Sequence, residues 1–152
     1  MPCETYWQSH GVIKRLVGKV SCVELRDAII ATQADPEFDK LRYVIADCLD
    51  CTDFVFQRIE VDEIAALGKA AALSNRYIKI AIVATLPSAI AGATQYAHSP
   101  LNAYPTRIFS NMDDATQWME IECIGPTLPC SLTKWSGVEA PSEAAAANRS
   151  DC

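Results

Sequence analysis

Two short apolar runs decide the fold: Val44-Ile45-Ala46-Asp47 and Lys79-Ile80-Ala81-Ile82-Val83-Ala84. Both are rich in β-branched residues and nearly free of charge, which is typical of strands covered on both faces. The segment between them, Val61 to Ser74, carries apolar residues at helical spacing. This order of strand, helix and strand predicts a βαβ crossover, so we expect the two runs to lie parallel in a buried sheet.

The residues on the amino-terminal side predict two more strands and a helix. Cys3 to Trp7 and Gly11 to Val17 have the pattern of a strand pair near one edge of the sheet. Ser21 and Glu24 form the pattern of a capping box, so we expect the first helix to begin there. The first apolar run then belongs to a strand from Leu41 to Cys48, which we expect to end in a loop.

The carboxyl-terminal half continues the alternation. Pro87-Ser88 opens a third helical stretch, and Thr106 to Phe109 predicts a further short strand. Asn111 is placed to cap a last helix, whose first turn carries Asp113 and Asp114 near the positive end of the helix dipole. The whole order predicts an α/β domain with a sheet of about five strands, parallel at its centre, and about four helices.

Length and charge limit the function classes. The chain has 152 residues, the size of one domain, and a formal net charge of −6 without any Lys/Arg-rich stretch. Nucleic acids and anionic membrane surfaces need a concentrated positive face, so neither is an expected partner. No apolar stretch is long enough for a membrane span, and Met1-Pro2-Cys3-Glu4 lacks the pattern of an export signal. We therefore expect a cytoplasmic protein.

The chain resembles the SpoIIAA-like fold shared by STAS and CRAL-TRIO domains, and more narrowly a bacterial group of small, largely uncharacterised STAS-like proteins. The residues that carry the resemblance are Val44 to Asp47, Ala65-Ala66-Leu67 through Ile80 to Val83, and Arg107-Ile108-Phe109 followed by Ala115 to Met119. The resemblance implies a single STAS-like α/β domain over residues 1–122. Residues 123–152, rich in Pro, Ala, Ser and Glu, are expected to form a carboxyl-terminal extension that is largely loop or disordered.

One departure from the family pattern concerns regulation by phosphorylation. In the phosphorylation-switched STAS proteins, a serine in an Asp-Ser pair opens the helix after the central strand. The corresponding stretch here, from Asp47 to Phe54, has no such serine, and Thr52 is its only hydroxyl. Because Thr52 stands among aspartates, a phosphate on it would meet like charge, and a phosphate switch at this residue is disfavoured.

Cys48 and Cys51 form a Cys-x-x-Cys motif among the seven cysteines of the chain. The flanking aspartates raise a thiol pKa, which opposes a reactive thiolate, and no second pair has the spacing of a zinc knuckle. A buried strand-end Cys48 and a loop Cys51 therefore describe the pair best. A thiol redox or metal-binding protein that uses Cys48 and Cys51 is kept as an alternative.

A second alternative follows from the CRAL-TRIO resemblance, which implies a lipid pocket between the sheet and the helices. Five aromatic residues are candidates to line a pocket for a small apolar ligand: Phe54, Phe56, Tyr96, Tyr104 and Phe109. The same residues also suit the core or its rim, since a chain of this length needs most of its apolar side chains there.

The leading hypothesis is a non-catalytic, STAS-like regulatory or protein-interaction module, without an enzyme's active site, cofactor or metal, whose partner is another protein. Open α/β sheets place working surfaces outside the carboxyl ends of their strands. The expected interaction surface is Asp47, Thr52, Asp53, Phe54, Phe56, Thr85 and Ser88. Because the strand Cys3 to Trp7 forms an open edge, a homodimer paired across that edge is a further hypothesis.

Overall fold

In the computed structural model, which describes residues 3–122, five strands form one mixed sheet in the order β1-β2-β3-β4-β5. The strands are β1 (Cys3–Trp7), β2 (Gly11–Ser21), β3 (Tyr43–Val55), β4 (Lys79–Val83) and β5 (Thr106–Phe109). The helices are α1 (Cys22–Gln33), α2 (Arg58–Ala71), α3 (Pro87–His98) and α4 (Met112–Glu122), with a short 3-10 helix at Pro36–Lys40. β1 runs antiparallel to β2, and the other neighbours are parallel. The predicted α/β sheet is confirmed, and the proposed extension 123–152 lies outside the described residues.

The two runs that predicted the crossover pair as expected. Val44 lies opposite Ile80 and Asp47 opposite Val83, with α2 between the two strands in the chain. The capping box that begins α1 is also confirmed, because the Ser21 side chain accepts from the Glu24 N–H while Glu24 Oε2 accepts from the Ser21 N–H at 2.9 Å.

Two strands are longer than the sequence predicted. β2 continues past Val17 to Ser21, and β3 continues past Cys48 to Val55, so the expected loop after Cys48 is wrong. The polar residues of this stretch are compatible with a strand because β2 and β3 pair with each other along it and turn several side chains outward. An exposed ion pair between Arg15 and Asp50 (2.5 Å) links the two strands.

Two bulges interrupt the pairing of β2 with β3. Arg15 lies opposite Asp47 but Val17 opposite Asp50, and Gly18 lies opposite Cys51 but Lys19 opposite Asp53, so β3 carries one extra residue at each point. Gly18 has a φ of +72°, a left-handed conformation that glycine adopts without steric cost. The first bulge lets Cys48 and Cys51, three residues apart, face the same side of the sheet.

The two faces of the sheet are covered differently. α4 alone packs on one face, where Met112, Ala115 and Met119 contact a cluster that contains Ile13, Tyr43, Ile45, Ala81 and Val83. α1, α2 and α3 lie on the opposite face. No helix between residues 3 and 122 is both long enough and apolar enough to cross a bilayer.

α2 is separated from the sheet instead of packing closely against it. Its main neighbours are α1 and α3. Gly68 of α2 faces the rings of Tyr96 and Tyr104, which lie beneath it. These two large side chains hold the helix away from the strands and leave a space under it.

Candidate functional site

A cavity of about 130 Å³ lies between the sheet and helices α1, α2 and α3. We call it the central cavity. Its floor consists of strand side chains from β2, β3 and β4: Lys14, Leu16, Val44, Ala46, Cys48, Ile80 and Ile82. Its walls and roof come mainly from the three helices and the connections beside them: Cys22, Leu25, Ile29, Thr32, Gln33, Phe38, Phe54, Val61, Ile64, Gly68, Ile78, Ala89, Gly92, Ala93, Tyr96 and Tyr104. The lining is therefore almost entirely apolar.

The exposed fractions of residues in the central strands show where the floor of the cavity lies. Val44, Ala46 and Ile80 are only half-buried although their strands lie inside the sheet and a helix layer covers them. By contrast, Ile45 and Ala81, which face α4, have no accessible surface. The apolar side chains on the α2 side thus lack the close partners that a packed interior provides.

Polar groups lie together at one end of the cavity. Lys14 Nζ donates to Ala28 O at 2.9 Å and to Thr32 Oγ1, and the Thr32 hydroxyl donates to the same Ala28 O at 2.9 Å. Gln33, the next residue on α1, lines the cavity beside them. The side chain of Lys14 is buried, with 3% of the residue exposed, and burial lowers its pKa from 10.5 to about 8.

The other end is aromatic and is closed by a tight contact between β3 and α3. The ring of Phe54 lines the cavity and lies 5.7 Å from that of Phe56. The backbone N–H of Phe54 donates to Ser88 Oγ at 3.1 Å, which fixes the start of α3 to the end of β3. A Cβ atom on Gly92 would lie 2.7 Å from a ring carbon of Phe54, so only glycine permits this approach.

The tyrosines under α2 form a further part of the lining. The Tyr104 hydroxyl donates to the backbone oxygen of Asn75 at 2.8 Å, and burial raises its pKa to about 12. Burial also raises the pKa of Tyr96. Of the five aromatic residues proposed as lining, Phe54, Tyr96 and Tyr104 line the cavity, and Phe56 packs behind Phe54. Phe109 contacts Trp118 in the layer formed with α4, on the other face of the sheet.

The residues of the expected interaction surface do not form one exposed patch. Thr52 and Thr85 are exposed and Asp53 is half-buried. Asp47 is buried, and its Oδ1 accepts from the Leu49 N–H at 3.0 Å. As described above, Phe54, Phe56 and Ser88 are engaged at the aromatic end of the cavity.

Cys48 and Cys51 are both buried free thiols, which corrects the expected loop position of Cys51. Cys48 Sγ donates to Ala46 O at 3.9 Å. A hydrogen-bonding interaction between the two thiols raises the pKa of Cys48 and lowers the pKa of Cys51. The nearby aspartates raise the pKa of Cys51, as expected, but the interaction with Cys48 outweighs them. Across residues 3–122 no group of three His, Cys, Asp or Glu side chains is placed to hold a metal ion.

Lys14 was not among the candidate site residues predicted from the sequence. The signal was present in the alternation along β2: Val12, Lys14 and Leu16 share one face, so the lysine stands between two apolar residues. A charge on the apolar face of a strand indicates either a buried partner or a site.

The comparisons with known proteins bear on the fold alone. The sequence matches no protein-family model and no curated protein. Its structure is similar to that of an uncharacterized protein of the DUF3478 family, with a SpoIIAA-like fold, from Shewanella loihica PV-4. The two share 11% sequence identity with a TM-score of 0.46, over 76% of this chain and 90% of that chain.

Proposed function

We propose that this protein is a non-catalytic binding module that holds a small apolar ligand in the central cavity. The observation that carries the proposal is the cavity itself, roofed by α2 and lined by apolar side chains. It favours the apolar-ligand hypothesis over the protein-interaction hypothesis that the sequence analysis placed first.

A space of this size would be costly if nothing occupied it. At about 24 cal/mol per Å³, an empty cavity of about 130 Å³ would cost about 3 kcal/mol. Small residues keep it open, since Ala46, Ala89 and Ala93 all line it. Larger apolar residues at such positions would recover part of this free energy, so their small size is consistent with selection for an occupant.

The volume defines the size of the occupant. An apolar cavity of about 150 Å³ in another protein admits benzene, so this slightly smaller one suits a ligand that places about six non-hydrogen atoms inside it and a few more at its open side. The apolar lining supplies affinity by burying hydrocarbon, at about 0.8 kcal/mol for each methylene group.

A cavity-filling variant tests the proposal. Ala46 lies on the floor, and Ala46→Leu adds three carbons that point into the cavity. We expect it to raise the free energy of unfolding by up to about 2 kcal/mol and to abolish binding of benzene. Ala70→Leu, on the exposed side of α2, is the matched control and should leave binding unchanged.

Two measurements can monitor ligand binding. Native mass spectrometry of freshly purified protein should show a retained small molecule in the wild type and in Ala70→Leu but not in Ala46→Leu. Titration with benzene, followed by amide NMR spectra, should shift resonances of cavity residues in the same two proteins. Wild-type spectra that do not respond to benzene, or an equal response in Ala46→Leu, would overturn the proposal.

A second candidate function is docking of another protein at the end of β3. The observation that favours it is the exposure of large apolar side chains there, because Val55 is 46% and Ile59 64% exposed. Thr52 and Thr85, which belong to the interaction surface predicted from the sequence, are exposed as well. Affinity capture from a lysate of the source organism should lose one protein when Val55 and Ile59 are both changed to Ser. Leu73 follows α2 and is 91% exposed, so the control Leu73→Ser should still capture that protein. Identical sets of captured proteins from the wild type and both variants would contradict docking at the end of β3.

A further inference from the structure

Lys14 is the cationic residue of the cavity lining, and its position is fixed by two hydrogen bonds. Its Nζ donates to Ala28 O and to Thr32 Oγ1. Because the Thr32 hydroxyl donates its own proton to Ala28 O, its oxygen can only accept from Nζ. An ammonium group has three N–H donors, so the two contacts with α1 leave one for another acceptor.

The charge of Lys14 has no ionic partner among residues 3–122. The ion pairs in this part of the chain involve other basic residues, and none includes Lys14. The carbonyl end of α1 supplies partial negative charge, but this is weaker than a full counter-ion. A buried ammonium without a carboxylate is costly, and an anion brought in by a ligand would remove much of that cost.

The lining therefore has a cationic part and an apolar part. Lys14, Thr32 and Gln33 form the cationic part beside the carboxyl end of α1, and Phe54, Ala89 and Ala93 belong to the apolar part. This polarity matches a short amphiphile whose head is negatively charged and whose body is hydrocarbon.

We propose that the central cavity binds a small carboxylate amphiphile, with the carboxylate on Lys14 Nζ and the hydrocarbon body directed toward Phe54. The inference rests on the proposed function, since it requires the cavity to be a ligand site. It adds the chemical class of the ligand, with the chain length of hexanoate or the size of benzoate as the expected scale.

The experiment compares hexanoate with hexanol, which has the same chain and no charge. Calorimetric titration of the wild type and of Lys14→Met with both probes separates the head group from the cavity. We expect hexanoate to bind the wild type at least about tenfold more tightly than it binds Lys14→Met, because a charge-assisted hydrogen bond is lost. Hexanol should bind both proteins within about threefold of each other.

The outcomes distinguish this inference from the proposed function. If hexanol binds the wild type and hexanoate binds no more tightly than hexanol does, the carboxylate inference is overturned while the cavity remains a ligand site. If neither probe nor benzene binds, both are overturned.

The pH dependence in the wild type provides a test that does not depend on folding of the variant. Hexanoate is ionised at every pH from 6.5 to 10, so we expect its affinity to fall above pH about 8, as Lys14 loses its proton, while the affinity of hexanol stays level. Burial raises the pKa of four other titratable groups near the cavity, Cys3, Cys22, Tyr96 and Tyr104. The interaction with Cys51, together with burial, raises the pKa of Cys48. Cys51 is the exception, because its pKa is lowered. A fall in hexanoate affinity that persists in Lys14→Met would assign the effect to Cys51 and overturn the inference.

Discussion

Replacement of Lys14 by Met should change how the stability of the protein depends on pH. In the folded protein, burial lowers the pKa of Lys14 from 10.5 to about 8. The unfolded chain therefore binds a proton more readily than the folded one between these values, so wild-type stability should rise with pH across this window. Methionine has a similar stem and no ionisable group, so Lys14→Met should lose this contribution.

The magnitude follows from the two pKa values. Burial of Lys14, whose pKa is 10.5 in the unfolded chain and about 8 in the folded protein, lowers the unfolding free energy by about 3.4 kcal/mol at pH 7. At pH 10 it lowers it by only about 0.8 kcal/mol, because the folded protein then holds Lys14 neutral. The difference in unfolding free energy between wild type and Lys14→Met should thus move by about 2.5 kcal/mol in favour of the wild type from pH 7 to pH 10.

Urea denaturation of both proteins at pH 7, 8, 9 and 10 measures this difference. Raised thiol pKa values, such as that of Cys22, about 11, lower the stability of both proteins at high pH and largely cancel in the comparison. Lys69→Met removes an exposed lysine from α2 and should leave the difference from wild type constant over the series. Parallel curves for wild type and Lys14→Met would refute the assignment of a buried, charged Lys14.

Three further predictions concern packing, a buried amide and the thiols. Gly92→Ala should lower the free energy of unfolding, measured by urea denaturation, by about 1–3 kcal/mol, because the clash with Phe54 exceeds the gain in helix propensity. An unchanged or higher value would contradict the close packing of Gly92 against the Phe54 ring. Asn75→Ala should lower the free energy of unfolding by about 2–4 kcal/mol, since the buried amide donates to two backbone oxygens at 2.8 and 2.9 Å. A urea midpoint equal to that of the wild type within error would show that these bonds are unimportant. Iodoacetamide alkylation of Cys51, measured by peptide mass analysis, should reach half its maximal rate at a pH below 9.0. In Cys48→Ala the midpoint of this pH profile should move to higher pH. An unchanged midpoint would exclude the hydrogen bond with Cys48 as the cause of the lowered pKa.

The sequence predicted those features that depend on local pattern. The apolar runs at Val44 and Lys79 and the capping pair Ser21 and Glu24 depend on nearest neighbours and on periodicity, and all are confirmed. The alternation that identifies a strand stops at a bulge, which is why β3 was ended too early.

Features that depend on contacts between distant residues were not predictable in the same way. The Asn75 side chain, for example, donates to backbone oxygens of Phe38 and Leu41, which lie more than thirty residues earlier in the chain. Likewise, the height of α2 above the sheet depends on two tyrosines that follow it by many residues in the chain. The cavity, and with it the role proposed for Lys14, therefore required the tertiary structure.

The extra residues in β3 affect how this chain should be aligned with others. In a relative whose strand lacks one of these residues, the equivalent of Phe54 stands one position earlier in the sequence. Because side chains alternate between the two faces of a strand, that shift of one position exchanges the two faces. An ungapped alignment would then equate an inward-facing aromatic residue with an outward-facing neighbour. Homologues of this protein should be aligned with single-residue gaps allowed beside Leu49 and at Thr52, where the pairing with β2 is offset.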